Sequence, residues 1–165
     1  MIEFIHEIFK NIFGNNVELA TVLISMVPII ELRGAIPYAT GMGLSPWIAI
    51  PVAMIGNLIP IPFIIIFIKR IFAWMRKVSP KLNKVVDKME AKADKNKDKI
   101  LKYAFWGLAL FVGIPLPGTG AWTGALVAAM LDMPLKKAFP SVIIGVLIAG
   151  AIMSFISYGA AAIFF

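Results

Sequence analysis

The sequence has no cysteine, one histidine and few charged residues, which make up 15% of its 165 positions. Without cysteine, disulfide bonds and thiolate-bound metals are excluded. Hydrolytic catalysis needs a nucleophile with its base, paired acids or a metal set. The sequence offers none of these, so we expect no enzyme, no metal and no cofactor. The first residues, MIEFIHEIFKNIF, also lack the basic start and uninterrupted apolar core of a cleavable signal peptide.

Hydrophobic residues are abundant and make up 60% of the chain. A soluble domain is about half apolar and about a quarter charged. The composition therefore predicts an integral membrane protein, built as a single membrane domain over residues 1–165 and crossing the cell membrane more than once.

Positive charge is concentrated between Lys69 and Lys102, where twelve Lys or Arg residues stand with four acids. Membrane proteins keep Lys and Arg on the cytoplasmic side, so residues 70–102 are predicted to form a basic cytoplasmic linker and not a nucleic-acid surface. Within it, the apolar positions from Leu82 to Met89 predict a short amphipathic helix. The following AKADKNKDK predicts a polar, mobile run.

Two apolar segments are interrupted at matching places, within VPIIELRGAIPYATGMG and VGIPLPGTGAWTGALVAAM. The arms on either side of each break are too short to cross a hydrocarbon core of about 30 Å, so we expect re-entrant helical hairpins, the first with its tip near residues 29–34. Each hairpin is followed by a Pro-started spanning helix, over 47–68 and 138–165. The fold class is therefore all-α, with repeats over 17–69 and 103–165 after an N-terminal amphipathic helix over 1–14.

The charges also predict the orientation of the repeats. If both broken segments are hairpins, Lys136 and Lys137 share the cytoplasmic side with the linker, and both termini lie outside. The two halves then have opposite topology, which is an inverted repeat. The expected correspondences place Gly34-Ala35 opposite Gly120-Ala121, Pro46 opposite Pro134, and Gly56 opposite Gly145.

Glu31 and Arg33 in the first break are the only acid–base pair in an apolar part of the chain. A charge near the bilayer centre costs about 2.5–3.5 kcal/mol on insertion scales, which marks a functional candidate. Side chains two apart face each other on extended backbone but not on a helix, so we expect irregular backbone and one shared cavity. Burial favours a protonated glutamate while arginine stays charged, which suits a proton carrier beside an anion site. A structural ion pair is the alternative.

The second break offers Gly118-Thr119-Gly120 just before a helix, and amide groups at a helix N-terminus bind anions. Gly34 would play the same part in the first hairpin. Alternatively, the Gly and Pro residues of both breaks only let the chain turn and pack. The prolines concerned are Pro37, Pro115 and Pro117.

Three further polar or aromatic positions lie in the apolar parts of the chain. Asn57 either bonds across helices or contacts a ligand. Trp122 either closes a cavity or belongs to an aromatic belt at the membrane surface. Asp132 resembles an N-cap before Pro134 or, failing that, a second titrating acid.

The segments IIELRGAIP and, after the basic loop, GIPLPGTGAWTG resemble the family of small multi-drug export proteins. That family looks like a distant branch of the DedA (VTT) superfamily, and the resemblance covers about residues 18–158. It implies inverted repeats of a re-entrant hairpin plus a transmembrane helix, and flipping of lipid phosphates such as polyprenyl phosphate driven by ion or proton gradients. In the superfamily a first-half acid, matched by Glu31, works with second-hairpin arginines. Here the second hairpin has no arginine, and within the two hairpins only Arg33 supplies a fixed positive charge.

The sequence as a whole predicts a proton-coupled secondary transporter or lipid flippase with a mid-membrane site between two hairpin tips. Its expected partners are the membrane, an anionic lipid phosphate or amphiphilic small molecule, and protons or another coupling ion. The alternative is a channel or structural membrane protein without coupled transport. The sequence leaves open whether the chain forms a homo-oligomer.

Overall fold

The computed structural model describes residues 16–101, 104–116 and 118–164, all in helices and connecting turns, with no strand among them. The predicted N-terminal amphipathic helix over 1–14 lies outside these residues. The helical segments are α1 (Val17–Met26), α2 (Glu31–Gly41), α3 (Pro46–Leu58), α4 (Pro60–Val78), α5 (Pro80–Leu101), α6 (Ala104–Gly113), α7 (Ala121–Met130) and α8 (Leu135–Phe164).

Segments α3 and α4 form one long helix. Only Ile59 separates them, and its φ of −54° and ψ of −49° are helical, so the described residues hold seven helices if Pro46–Val78 is counted once. This 33-residue helix and Leu135–Gly159 are long and apolar enough to cross a membrane. The prediction of an all-α chain with two spanning helices is confirmed at this level.

The first long helix does not end where the sequence analysis placed its end, before Lys69 and Arg70. It continues to Val78 because its buried stripe continues: Ile61, Ile64, Ile68 and Phe72 are all buried at helical spacing. The two basic residues lie on the exposed side, so they do not interrupt the packed face.

The basic linker is more helical than expected. Helix α5 includes the run AKADKNKDK, for which the sequence analysis predicted no helix. Alanine and lysine, which make up six of the nine residues of this run, are strong helix formers. The prediction of a polar, mobile run rested on polarity alone and did not take this helix propensity into account.

The chain divides into two compact units. The first unit comprises Met1–Asn57 with Gly150–Phe165, and the second comprises Leu58–Ala149. In the first, α1 packs against α2, and the Ser25 hydroxyl donates a hydrogen bond to the Ala53 carbonyl of α3. The end of α8 joins this unit, since the Tyr158 hydroxyl donates to the Leu44 carbonyl at 2.8 Å.

The second unit is built around α4, α5, α6 and α7, with α4 packed on α7 and α5 touching the other three. The first part of α8 lies close to α6. A Cβ atom at Gly145 would stand 2.7 Å from the Ala109 carbonyl oxygen, and the Ser141 hydroxyl donates to the Phe105 carbonyl at 2.5 Å. A glycine makes the same kind of contact in the first unit, where a Cβ at Gly56 would stand 2.5 Å from the Val22 carbonyl oxygen.

Candidate functional site

Glu31 and Arg33 lie in the first turn of α2, not on extended backbone as the sequence analysis predicted. The non-helical link between α1 and α2 is limited to residues 27–30. The Glu31 amide donates to the Val27 carbonyl at 3.0 Å, and the Gly34 amide donates to the Ile30 carbonyl at 3.0 Å. These i to i−4 hydrogen bonds begin the helix directly after the turn, which leaves no extended segment for the pair.

The two charged groups nevertheless interact. Glu31 is only 4% exposed, Arg33 is partly buried, and the Glu31 carboxylate attracts the Arg33 guanidinium electrostatically. The rule that positions i and i+2 diverge holds for regular helix. Glu31 departs from regular helix because its φ is +51°. An electrostatic interaction between the two groups is thus present, on a backbone different from the predicted one, and the predicted ion pair stays a prediction.

The hairpin tip holds two residues in the left-handed region. Ile29 has φ +78° and Glu31 has φ +51°, and the Ile29 side chain is almost fully exposed. The left-handed conformation costs an L-residue about 1–2 kcal/mol, and for a β-branched residue it is an outlier. Such strain is concentrated at functional sites in proteins. No sequence signal identifies Ile29, because its residue type argues against this conformation.

Gly34 and Pro37 shape the helix that carries the charged pair. A Cβ atom at Gly34 would stand 2.4 Å from Cγ2 of Ile30, so the missing side chain leaves room for Ile30 over the first turn. Pro37 is exposed inside α2 and has no N–H to donate to the Arg33 carbonyl. Their observed roles are in backbone shape, and a role in binding remains a prediction.

The loop before α7 is closed by Thr119. Its hydroxyl donates within the loop, with the carbonyl oxygens of Ile114 and Leu116 at 2.7 and 2.8 Å. Gly118 and Gly120 have φ of +89° and +122°, which glycine adopts without strain. Gly120 is buried and directly precedes the helix. Of the other predicted loop residues, Pro115 is partly buried between the helices, Trp122 is partly buried in the first turn of α7, and Pro117 lies outside the described residues.

The residues with positive φ indicate a constant offset in sequence between the two halves of the chain, which we call the register. The six described residues with positive φ form three pairs, each 89 positions apart: Ile29 with Gly118, Glu31 with Gly120, and Gly43 with Asp132. The last pair ends α2 and α7 with the same two hydrogen bonds, which form a Schellman cap in each.

Two of the correspondences expected from the sequence are therefore wrong. In this register Glu31, and not Gly34, matches Gly120. Ser45, and not Pro46, matches Pro134, since the carbonyl of each accepts the amides three and four positions later. The expected match of Gly56 with Gly145 fits the same spacing. The two halves share the sign of φ at these positions and the hydrogen bonds of the caps, but few side chains. Matching residue types between the halves therefore paired the wrong positions.

Asn57 is fully buried in α3, and neither its Oδ1 nor its Nδ2 has a hydrogen-bond partner among the described residues. Ser25 and Thr21 in the same unit are equally buried, but their hydroxyls donate to the carbonyls of Ala53 and Val17. A buried polar group without a partner costs about 1–3 kcal/mol. Asn57 therefore stands out as a group for which the described fold supplies no partner.

Asp132 does not cap α8 as predicted. It ends α7 with φ +52°, and its carboxylate pairs with Lys69 Nζ at 2.5 Å. Both side chains are exposed, so the ion pair is worth about 0–1 kcal/mol. It links α4 to the end of α7 at the surface.

The predicted site residues are therefore distributed over both units. Glu31, Arg33, Gly34, Pro37 and Asn57 belong to the first unit, and the loop residues and Trp122 belong to the second. No group of three or more side chains suited to a metal ion occurs in the part of the chain that the structure describes.

These features describe an all-helical chain with two membrane-capable helices and a buried charged pair at a strained hairpin tip. Residues 31–152, more than half of the chain, match the family described as "Putative small multi-drug export protein". The chain belongs to this family, as the resemblance of its two motifs predicted, and the family name denotes a transport protein of the membrane. No curated protein and no solved structure matches the chain.

Proposed function

We propose that the chain is a proton-coupled secondary transporter or flippase for an anionic lipid phosphate or an anionic amphiphile. The observation that carries the proposal is the Glu31 carboxylate, which is 4% exposed and attracts the Arg33 guanidinium electrostatically at a helical hairpin tip of an apolar chain. No enzymatic step is needed in this proposal, because binding and release at the pair supply the coupling.

The coupling follows from the cost of burying charge. An uncompensated buried ion costs several kcal/mol, so Glu31 and Arg33 stay together when no substrate is bound. Arginine keeps its charge, and an anionic headgroup that binds Arg33 takes the place of the Glu31 carboxylate. Glu31 then loses its counter-ion and is stabilised by taking up a proton. Substrate binding and proton uptake are thereby linked.

The loop before α7 is proposed as a second anion-binding element. Gly118 and Gly120 have no Cβ atoms and lie next to the first turn of α7. Helix N-termini attract anions through the helix dipole. Thr119 holds the loop in shape. The hypothesis of a single site between the two hairpin tips stays a prediction.

The membrane topology we propose has two re-entrant hairpins, α1–α2 and α6–α7, in an inverted repeat. Helices α1, α6 and α7 have 10 residues each and α2 has 11, which corresponds to about 15 Å of rise per helix. That is half of a hydrocarbon core of about 30 Å. The 89-residue register supports the repeat, and the lysine distribution supports a cytoplasmic linker with both termini outside.

Cysteine labelling tests this topology, and the native chain has no cysteine to interfere. Glu18→Cys, Lys88→Cys and Lys137→Cys are each placed at an exposed position and reacted in intact cells with a membrane-impermeant maleimide. We expect only the cysteine at position 18 to react before the cells are opened. If the cysteines at 88 and 137 differ in accessibility, the second hairpin crosses the membrane and the re-entrant topology is wrong.

The function is tested in liposomes with an imposed pH gradient and a fluorescent anionic lipid as substrate. We expect Glu31→Gln and Arg33→Ala each to reduce substrate movement at least tenfold while the protein remains folded, and Glu18→Gln, a matched exposed control, to change it less than twofold. Saturation with substrate separates a carrier from a channel. If the single variants fail to fold while the double variant Glu31→Gln/Arg33→Gln regains both folding and transport, the pair is only structural.

A further inference from the structure

Helix α5 presents a row of lysines that the proposed transport site does not use. Lys81, Lys84 and Lys88 are all exposed and follow one another at helical spacings of three and four, which places them on one face. None of the three forms an ion pair with any described residue. The sequence continues the same spacing with Lys92, Lys95 and Lys99. We call Lys81, Lys84 and Lys88 the lysine face.

Two of the four acids of α5, Asp87 and Glu90, do not neutralise the lysine face, because Arg76 of α4 engages them. Arg76 contacts the carboxylates of Asp87 at 2.9 Å and Glu90 at 2.6 Å, and it donates to the Asn83 side chain at 2.6 Å. These three partners lie at positions i, i+4 and i+7, on a different face of α5 from the lysines. The helix is thus held to α4 by its acidic face, and its basic face stays exposed.

The apolar face of α5 is also engaged. Val86 is fully buried, and α5 packs on α4, α6 and α7. An amphipathic helix that binds a membrane by insertion needs a free apolar face. Around Val86 this face is occupied, so we expect the described part of the helix to contact a bilayer electrostatically, through the lysine face.

The neighbouring surface has the composition of a membrane boundary. Trp74 and Val78 near the end of the long apolar helix are 62% and 54% exposed, and Val85 of α5 is 46% exposed. Aromatic residues with lysines beside a spanning helix are typical of the interface between hydrocarbon and headgroups. The lysine face therefore begins at the level where phospholipid headgroups lie.

We propose that the lysine face binds the headgroups of anionic phospholipids in the adjacent leaflet. The match is one of charge, since basic clusters directly next to a membrane span attract anionic lipids, by roughly fivefold in binding per lysine near the surface. Three lysines give roughly a hundredfold preference for an anionic over a zwitterionic lipid at low salt. The preference decreases at high salt because exposed charges are screened.

The test uses the full chain in neutral-lipid nanodiscs and measures binding of a fluorescent phosphatidylglycerol by energy transfer. We expect the triple variant Lys81→Gln/Lys84→Gln/Lys88→Gln to weaken binding at least tenfold, and the triple lysine-to-arginine variant at the same positions to retain it within threefold. A variant with the same change of net charge elsewhere, Arg70→Gln/Lys136→Gln/Lys137→Gln, should weaken binding less than the lysine-face variant does, because these residues do not belong to one row on α5. Single glutamine variants should each weaken it by a smaller, additive amount.

Two results would overturn the proposal. One is equal binding of phosphatidylglycerol by the wild type and the triple glutamine variant at low salt. The other is preference for a fluorescent RNA oligonucleotide over the lipid at physiological salt, lost in the same variant, which would make the lysine face a nucleic-acid surface. Thermal unfolding in neutral lipid is recorded for every variant, and if the triple glutamine variant is unfolded, the single variants decide by the same criteria.

Discussion

Replacing Asn57 with leucine should stabilise the protein, although it removes the only amide side chain buried in the first long helix. Leucine has nearly the same size, so the substitution leaves no large cavity. The wild-type amide leaves both Oδ1 and Nδ2 without partners among the described residues. Removing an unsatisfied buried group recovers its desolvation penalty of about 1–3 kcal/mol. For a chain of this length, that corresponds to a rise in the unfolding midpoint of about 2–4 °C per kcal/mol.

Ser25→Ala is the matched control, because Ser25 is equally buried in the same unit but its hydroxyl donates to the Ala53 carbonyl. Losing a satisfied hydrogen bond costs about 0.5–1.5 kcal/mol. The two substitutions should therefore change stability in opposite directions. Thermal unfolding of the purified protein in one detergent, followed by near-ultraviolet circular dichroism, measures both changes.

The same variant distinguishes a structural from a ligand-binding role of Asn57. If the amide contacts substrate or a coupling ion, the stabilised Asn57→Leu protein should transport at least tenfold more slowly. If the amide contacts neither substrate nor a coupling ion, transport stays within twofold of wild type. A loss of more than 1 kcal/mol of stability would refute the reasoning, because it would mean that the Asn57 amide is satisfied in the folded protein.

Other substitutions test the packing and strain of the hairpins. Gly56→Ala and Gly145→Ala should each destabilise the fold by about 1–3 kcal/mol, because each new Cβ would press on a neighbouring backbone carbonyl, whereas Gly41→Ala, with nothing within 4 Å, should be neutral or slightly stabilising. Equal unfolding midpoints for all three would contradict these close helix contacts. Ile29→Gly should raise the stability of the protein by up to about 1 kcal/mol. It relieves backbone strain of about 1–2 kcal/mol, while the entropic cost of ordering a glycine is smaller. A loss of stability would show that the contacts of the Ile29 side chain outweigh its strain.

The sequence predicted the elements whose limits depend on composition. The second hairpin's return helix begins at Ala121 and ends at Met130, as expected, because Gly and Pro break one side and a polar turn follows the other. The two spanning helices were found for the same reason: uncharged apolar runs of about 20 residues have few alternatives to helix in a membrane. The burial of Glu31 followed from its isolation in an apolar segment, and its ion pair with Arg33 stays a prediction.

The features that the sequence did not predict depend on backbone conformation or on tertiary packing. Helix α2 begins at Glu31 because Ile29 takes a left-handed conformation that its residue type disfavours. The 89-residue register is visible only in the dihedral angles and the helix caps. Comparing side chains therefore placed Gly120 opposite Gly34 and not opposite Glu31. The long helix continues past Lys69 because Phe72 is buried on the same face as Ile68, a contact that composition cannot reveal.

The 89-residue register identifies Gly120 as the residue of the second half that corresponds to Glu31, so the two can be compared. Gly120 takes the corresponding place with a positive φ and no side chain to strain it, so glycine suffices to turn the second hairpin into its return helix. In the first hairpin a glutamate stands there. It costs about 1–2 kcal/mol of backbone strain, and a buried carboxylate also carries a desolvation cost of several kcal/mol when its charge is not compensated. Because the turn itself requires neither cost, this comparison supports the proposed role of Glu31 as a proton acceptor beside a permanent cation. If the ion pair is only structural, Glu31→Gly should instead raise the stability of the protein, because glycine takes a positive φ without strain.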